Sequence, residues 1–230
     1  MHNNFYLSKM KRSLFLFCFF LLFAFTVQKK KKIIFFGDSI TEQAAKPGGF
    51  IVKIDSMQQK NNFKDNYDLA GAGVGSNKIY DLYLRLEDDV LTKNPDIVLI
   101  FIGVNDVWHK RSFGTGTDAD KFEKFYSAIL KKLADKNIKA ILCTPASIGE
   151  RTDLSNEQDG DLNKYCNIVR GLAAKNNLPL IDLRKIFQEY NLKNNPANKD
   201  RGILTTDGVH LNEKGNQLVA EEMWKAIAKI

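Results

Sequence analysis

Ile97-Val-Leu-Ile-Phe-Ile102 is an unbroken apolar run, rich in β-branched residues, set between Pro95 and Gly103. A strand with no polar alternation must be covered on both faces, which is the condition of a central strand in a parallel sheet. The rest of the chain agrees. Ile33-Ile-Phe-Phe36, Tyr67-Asp-Leu-Ala70, Lys139-Ala-Ile-Leu-Cys143 and Leu180-Ile-Asp182 read as further strands. Between them, apolar residues recur at helical intervals: about Phe50 to Gln59; Ile79, Leu82, Leu86 and Val90; Phe122, Phe125, Ile129 and Leu133; Leu162, Cys166, Val169 and Ala173. Leu218, Met223, Ala226 and Ile227 fall in a closing helix. Strand alternating with helix at this spacing predicts an α/β fold, a parallel sheet with helices on both faces. Ligands then bind beyond the carboxyl ends of the strands.

The first 28 residues are set apart from this pattern. Lys9, Lys11 and Arg12 precede the apolar stretch Leu14 to Val27, the form of a secretory signal with an approximate cleavage site. A retained anchor is the alternative, and only in that case is a membrane partner expected. Residues 29–230 are then one domain in an extracytoplasmic (periplasmic or secreted) location. Residues 1–32 hold seven Lys or Arg and no acidic residue, so they account for the whole net charge of +7. The remainder is balanced and gives no support to nucleic-acid binding. Cys143 and Cys166 sit at positions suited to small buried apolar residues; an oxidising compartment permits a disulfide, but no spacing pairs them. No spacing resembles a metal site.

Several residues at predicted strand ends can carry chemistry. Ser39, in Gly37-Asp38-Ser39, follows the first strand and opens a helix, as an N-cap or as a nucleophile if a base reaches it. His210 stands three residues after Asp207, and an Asp-x-x-His loop can turn the carboxylate back onto the imidazole and fix its tautomer. Asn105, in Gly103-Val-Asn-Asp106, follows the most apolar strand and offers a side-chain amide to an oxyanion. Trp108 and His109 are placed in a loop after it, as a substrate-binding rim. The run around Gly71, Gly73 and Gly75 offers another N–H donor; it lacks the Gly-Lys-Ser/Thr ending of a phosphate loop.

Taken in order, Gly-Asp-Ser at 37–39, the glycine-rich turn at 71–77, Gly-x-Asn-Asp at 103–106 and Asp-x-x-His at 207–210 resemble the SGNH hydrolase superfamily, the GDSL esterases and lipases. The resemblance implies a three-layer α/β/α, flavodoxin-like fold with about five parallel strands, and cofactor-free, metal-free hydrolysis of esters. It implies Ser39 as nucleophile, His210 as base and Asp207 as its partner. The implied oxyanion hole is the Ser39 N–H, a donor from the second block and the Asn105 amide. Counting back from Arg85-Leu86 places the second-block donor at Ser76, with Gly75 just before it, where the family has glycine. A serine there is strained if the turn needs positive φ.

The expected substrate is a small-molecule or polysaccharide ester, above all an acetyl or other short acyl ester on carbohydrate. A lysophospholipase or general short-chain esterase, and a carbohydrate-binding protein without catalysis, remain open beside it.

Overall fold

Every residue of β3 (Ile97–Phe101) is buried, and the strand lies in the middle of the sheet as its composition requires. The structure is a computed structural model that describes residues 29–60 and 66–230. The expected signal segment lies outside the described residues. Five strands, β1 (Lys31–Gly37), β2 (Tyr67–Gly73), β3, β4 (Lys139–Cys143) and β5 (Leu180–Ile181), pair in the order β2-β1-β3-β4-β5. All four pairings are parallel, with Ile33 opposite Ile97 and Ile97 opposite Lys139. The chain passes from β1 to β2 on one side and then crosses to β3 on the other. The β1/β3 boundary is therefore the point where the winding reverses and a crevice opens.

Alternate residues of the same strands feed two cores. Ile33, Phe35, Leu99, Phe101 and Ile141 pack against α1 (Ser39–Ala44), α2 (Phe50–Lys60), α7 (Leu183–Asn194) and α8 (Glu213–Ile227). Ile34, Phe36, Val98, Ile100 and Leu142 pack against α3 (Ile79–Asp89), α5 (Ala119–Asp135) and α6 (Asp159–Lys175). This is the three-layer α/β/α arrangement, and Lys31–Ile230 form one compact unit. Helix α8 lies along α2, where the Phe50 N–H donates to Asn216 Oδ1 and Lys53 pairs with Glu213. Lys31 Nζ donates to the carbonyl of Ile230, joining the first strand to the last residue.

Two helices differ from expectation. Trp108 and His109 lie not in a loop but on α4 (Val104–Phe113), because this helix buries Asn105, Asp106 and His109 and so carries no apolar stripe. Helix α7 hides in the sequence for the same reason, since Arg184 and Asn191 share its buried face with Leu183 and Phe187. Part of the expected glycine-rich turn is strand: Gly71 and Gly73 belong to β2. A Cβ on Gly73 would overlap the Glu42 backbone nitrogen, so the missing side chain is what lets α1 lie against the sheet. Cys143 and Cys166 are both free and buried, one in each core.

Candidate active site

Strand β1 ends at Gly37, and Asp38 caps α1 by accepting the Ile40 N–H on Oδ1 at 3.0 Å. The cap is thus the aspartate, and Ser39 becomes the first helical residue, whose N–H has no partner inside the helix. Ser39 Oγ lies 2.9 Å from His210 Nε2. His210 Nδ1 lies 2.7 Å from Asp207 Oδ2. Since a carboxylate can only accept, it fixes the imidazole proton on Nδ1 and leaves Nε2 to receive the serine proton.

The Asp207–His210 turn is built locally. Asp207 Oδ1 accepts the N–H groups of Val209 at 2.9 Å and His210 at 2.8 Å. Gly208 between them has φ +96°, and a Cβ there would come within 3.2 Å of the Gly149 nitrogen. Desolvation alone would raise the Asp207 pKa. The hydrogen bonds from the His210 ring and from the His210 and Val209 N–H groups outweigh it and hold the carboxylate below its ordinary range.

Asn105 stands in the first turn of α4, 2 % exposed, just beyond the end of β3. Its Nδ2 donates to the Asn77 carbonyl at 3.1 Å, which ties it to the turn after β2 and leaves its second N–H for another acceptor. Ser76 has φ +63°, so the serine occupies the left-handed region in which strain was expected. Ser39, Ser76 and Asn105 thus follow the ends of three adjacent strands, β1, β2 and β3. Trp108 presents its ring edge-to-face to His210 at 6.2 Å. His109 is buried against Phe113 and Trp108, and burial together with the nearby charge of Lys78 lowers its pKa.

Two supports were not read from the sequence. Arg85, used there only as a counting mark, donates to the carbonyls of Gly37 and Ala72 and to Asn77 Oδ1, so it joins the ends of β1 and β2 to the turn that carries Ser76. Asp106 accepts the Ile79 N–H and is fully buried. Burial pushes its carboxyl up to about 7 against the pull of that N–H, and burial likewise raises Asp38 to about 7, helped by the charge of Asp106. Only the Gly-x-Asn-Asp spacing hinted at Asp106.

Residues 35–218 match the model of the GDSL-like Lipase/Acylhydrolase family. The chain belongs to that family. Among solved structures this GDSL protein is similar to an acetyl xylan esterase, AlAXEase, with 64% identity over 85% of this chain and 99% of that one, at a TM-score of 0.84. It is 27% identical over 215 residues to the acetylxylan esterase of Geobacillus stearothermophilus, covering 86% of this chain and 94% of the relative. It is also 25% identical over 176 residues to the uncharacterized lipoprotein YqeF of Bacillus subtilis strain 168, covering 69% and 72% of the two. The GDSL family lies within the SGNH superfamily that the motif order resembles, and the protein is a carboxylic ester hydrolase.

Proposed function

We propose that the protein removes acetyl or other short acyl groups from carbohydrate, with Ser39 as nucleophile. The observation that carries the mechanism is the hydrogen-bonded chain from Ser39 Oγ through His210 to Asp207. His210 Nε2 takes the hydroxyl proton as Ser39 attacks the ester carbonyl, and the imidazolium is held by Asp207. Charge on the carbonyl oxygen is met by the Ser39 N–H, the Asn105 amide and a main-chain N–H at Ser76 or Gly75. His210 then returns the proton to the departing sugar hydroxyl. Water, deprotonated by His210 in turn, releases the acyl group and restores the serine.

Two observations support the carbohydrate side of the reading. One is the 64% identity to an acetyl xylan esterase. The other is a cavity of about 560 Å³ adjoining Asp207, lined by Arg111, Ser112, Arg151, Asn156 and Glu157. Its size is that of a small-ligand site, and side chains of this kind suit a polyhydroxylated alcohol better than a lipid tail. Trp108, beside His210, is the apolar surface on which a sugar ring would stack.

Ser39→Ala and His210→Ala are each expected to lower kcat on p-nitrophenyl acetate by about 10⁴-fold or more, because the two groups act as one unit. Near wild-type turnover by Ser39→Ala ends the mechanism. A panel of acetylated xylo-oligosaccharides, longer acyl esters and lysolipids tests the substrate, and a preference for lysolipid would replace the carbohydrate reading while leaving Ser39 in place. Export is proposed from the Lys9–Arg12 cluster and the Leu14–Val27 run, with the similarity to a lipoprotein in support. Sequencing of the mature N-terminus is expected to begin between about residues 25 and 30. An intact N-terminus in a membrane fraction would indicate an anchor.

A further inference from the structure

Glu150 sits in the segment between β4 and α6, 1 % exposed, and touches none of the residues assigned a chemical role. Its carboxylate collects three successive main-chain donors. Oε2 accepts the Ile203 N–H at 2.7 Å, and Oε1 accepts those of Leu204 at 2.6 Å and Thr205 at 2.9 Å. Hydrogen bonds from N–H groups to a carboxylate are shorter and stronger than those to a neutral acceptor. They fix the chain immediately before Asp207.

The neighbours of Glu150 continue the same seam. The Glu150 N–H donates to the Asp200 carbonyl at 2.9 Å, and its own carbonyl accepts from Asn195 Nδ2 at 2.8 Å. The Gly149 N–H and Ser147 Oγ both donate to the carbonyl of Gly208, at 2.9 and 3.1 Å, between Asp207 and His210. Thr205, held at its nitrogen by Glu150, accepts the Gly208 N–H on Oγ1 at 3.0 Å. The turn is thus gripped at its entry by the carboxylate and at its middle by Gly149 and Ser147.

We infer that Glu150 is a positioning residue for hydrolysis: it sets the register of residues 203–205 and so holds Asp207 Oδ2 on His210 Nδ1. The inference rests on the reading of Asp207 and His210 as the acid–base pair. The Asp207 side chain is 42% exposed, so besides the Val209 and His210 N–H groups on its Oδ1 it depends on the path of the main chain for its position. Glu150→Gln keeps the shape but replaces one acceptor oxygen by an NH₂ facing main-chain donors, so the three bonds cannot all form.

In Glu150→Gln, kcat on p-nitrophenyl acetate, normalised to the folded fraction from circular dichroism, is expected to fall about 10²-fold, the effect of displacing a catalytic group by about 1 Å. KM is expected to stay near wild type. The downfield proton resonance of the His210 Nδ1–H, assigned by its disappearance in Asp207→Asn, is expected to shift upfield or vanish. Glu150→Asp, which keeps the charge but reaches fewer donors, is expected to show smaller changes in the same direction, and it serves as the test if Glu150→Gln does not fold. A residue that only stabilises the fold would lower the melting temperature and leave kcat per folded molecule and the imidazole resonance unmoved. That result in either folded variant overturns the inference. Full activity of Asp207→Asn would instead overturn the acid–base assignment, so the two failures are distinguishable.

Discussion

Asn105 and Ser76 differ in what a substitution can remove. Asn105 offers an amide that no other side chain replaces, so Asn105→Ala is expected to lower kcat by roughly 10²–10³-fold, the usual loss for one oxyanion donor. KM should change little where chemistry is slow, because the bond strengthens only as charge develops. A kcat within the range of an ordinary surface substitution would show that the amide serves only to hold the Asn77 carbonyl. On the proposed reading Ser76 contributes its main chain alone. Its φ of +63° places an L-residue where the left-handed conformation costs on the order of 1 kcal/mol. Ser76→Gly is therefore expected to stabilise the protein by up to about 1 kcal/mol in urea unfolding, with kcat unchanged or modestly raised. A large loss of activity in Ser76→Ala would point instead to the hydroxyl as a working group.

Helix α1 carries Ser39, the proposed nucleophile, and its distance from the sheet is set by the glycines of β2. Gly73→Ala places a methyl against the Glu42 backbone, so α1 must move outward. The expected result is a loss of about 1–3 kcal/mol in chemical denaturation, as for other overpacked sites, together with a fall in kcat of about tenfold or more as Ser39 leaves His210. Wild-type values of both would mean that the helix accommodates the methyl without shifting. Elements of this molecule were legible in the sequence where burial is apolar and periodic. β1, β3 and β4, and α3, α5 and α6, announce themselves through Ile, Leu, Val and Phe at the spacing of a strand or helix. α4 and α7 do not, because Asn105, His109, Arg184 and Asn191 occupy buried positions in which a reader looks for apolar residues. The site divides in the same way. Ser39 and His210 were legible as motifs beyond predicted strands and in a late loop, whereas the bonds of Arg85 and Glu150 join segments far apart in the chain and leave no local pattern.

Across the whole molecule, the two buried carboxyls beneath the site make stability fall as pH rises. His109, whose pKa burial lowers, opposes them in part through the ordinary histidine range. Asp38 and Asp106 both have folded pKa values raised to about 7, first by burial. The folded form then keeps protons that the unfolded chain has released, so the contribution of these groups is fully present below about pH 4 and is lost as pH rises through about 7, by on the order of a few kcal/mol. Asp207, held below its ordinary range, acts only at the acid end. Urea midpoints of the wild type are expected to fall between pH 5 and pH 8, and Asp106→Asn is expected to flatten that fall; an equal slope in the variant would remove Asp106 as its source. The pairing of serine with histidine has a different consequence. Ser39 and His210 are 171 residues apart, and α8 begins three residues after the histidine. On the proposed reading, a growing chain therefore holds its serine long before it holds a base, and hydrolysis waits on the meeting of residues from opposite ends of the domain. Recovery of ester cleavage on refolding is then expected to report the closing of this long-range contact, and to lag behind the appearance of helix.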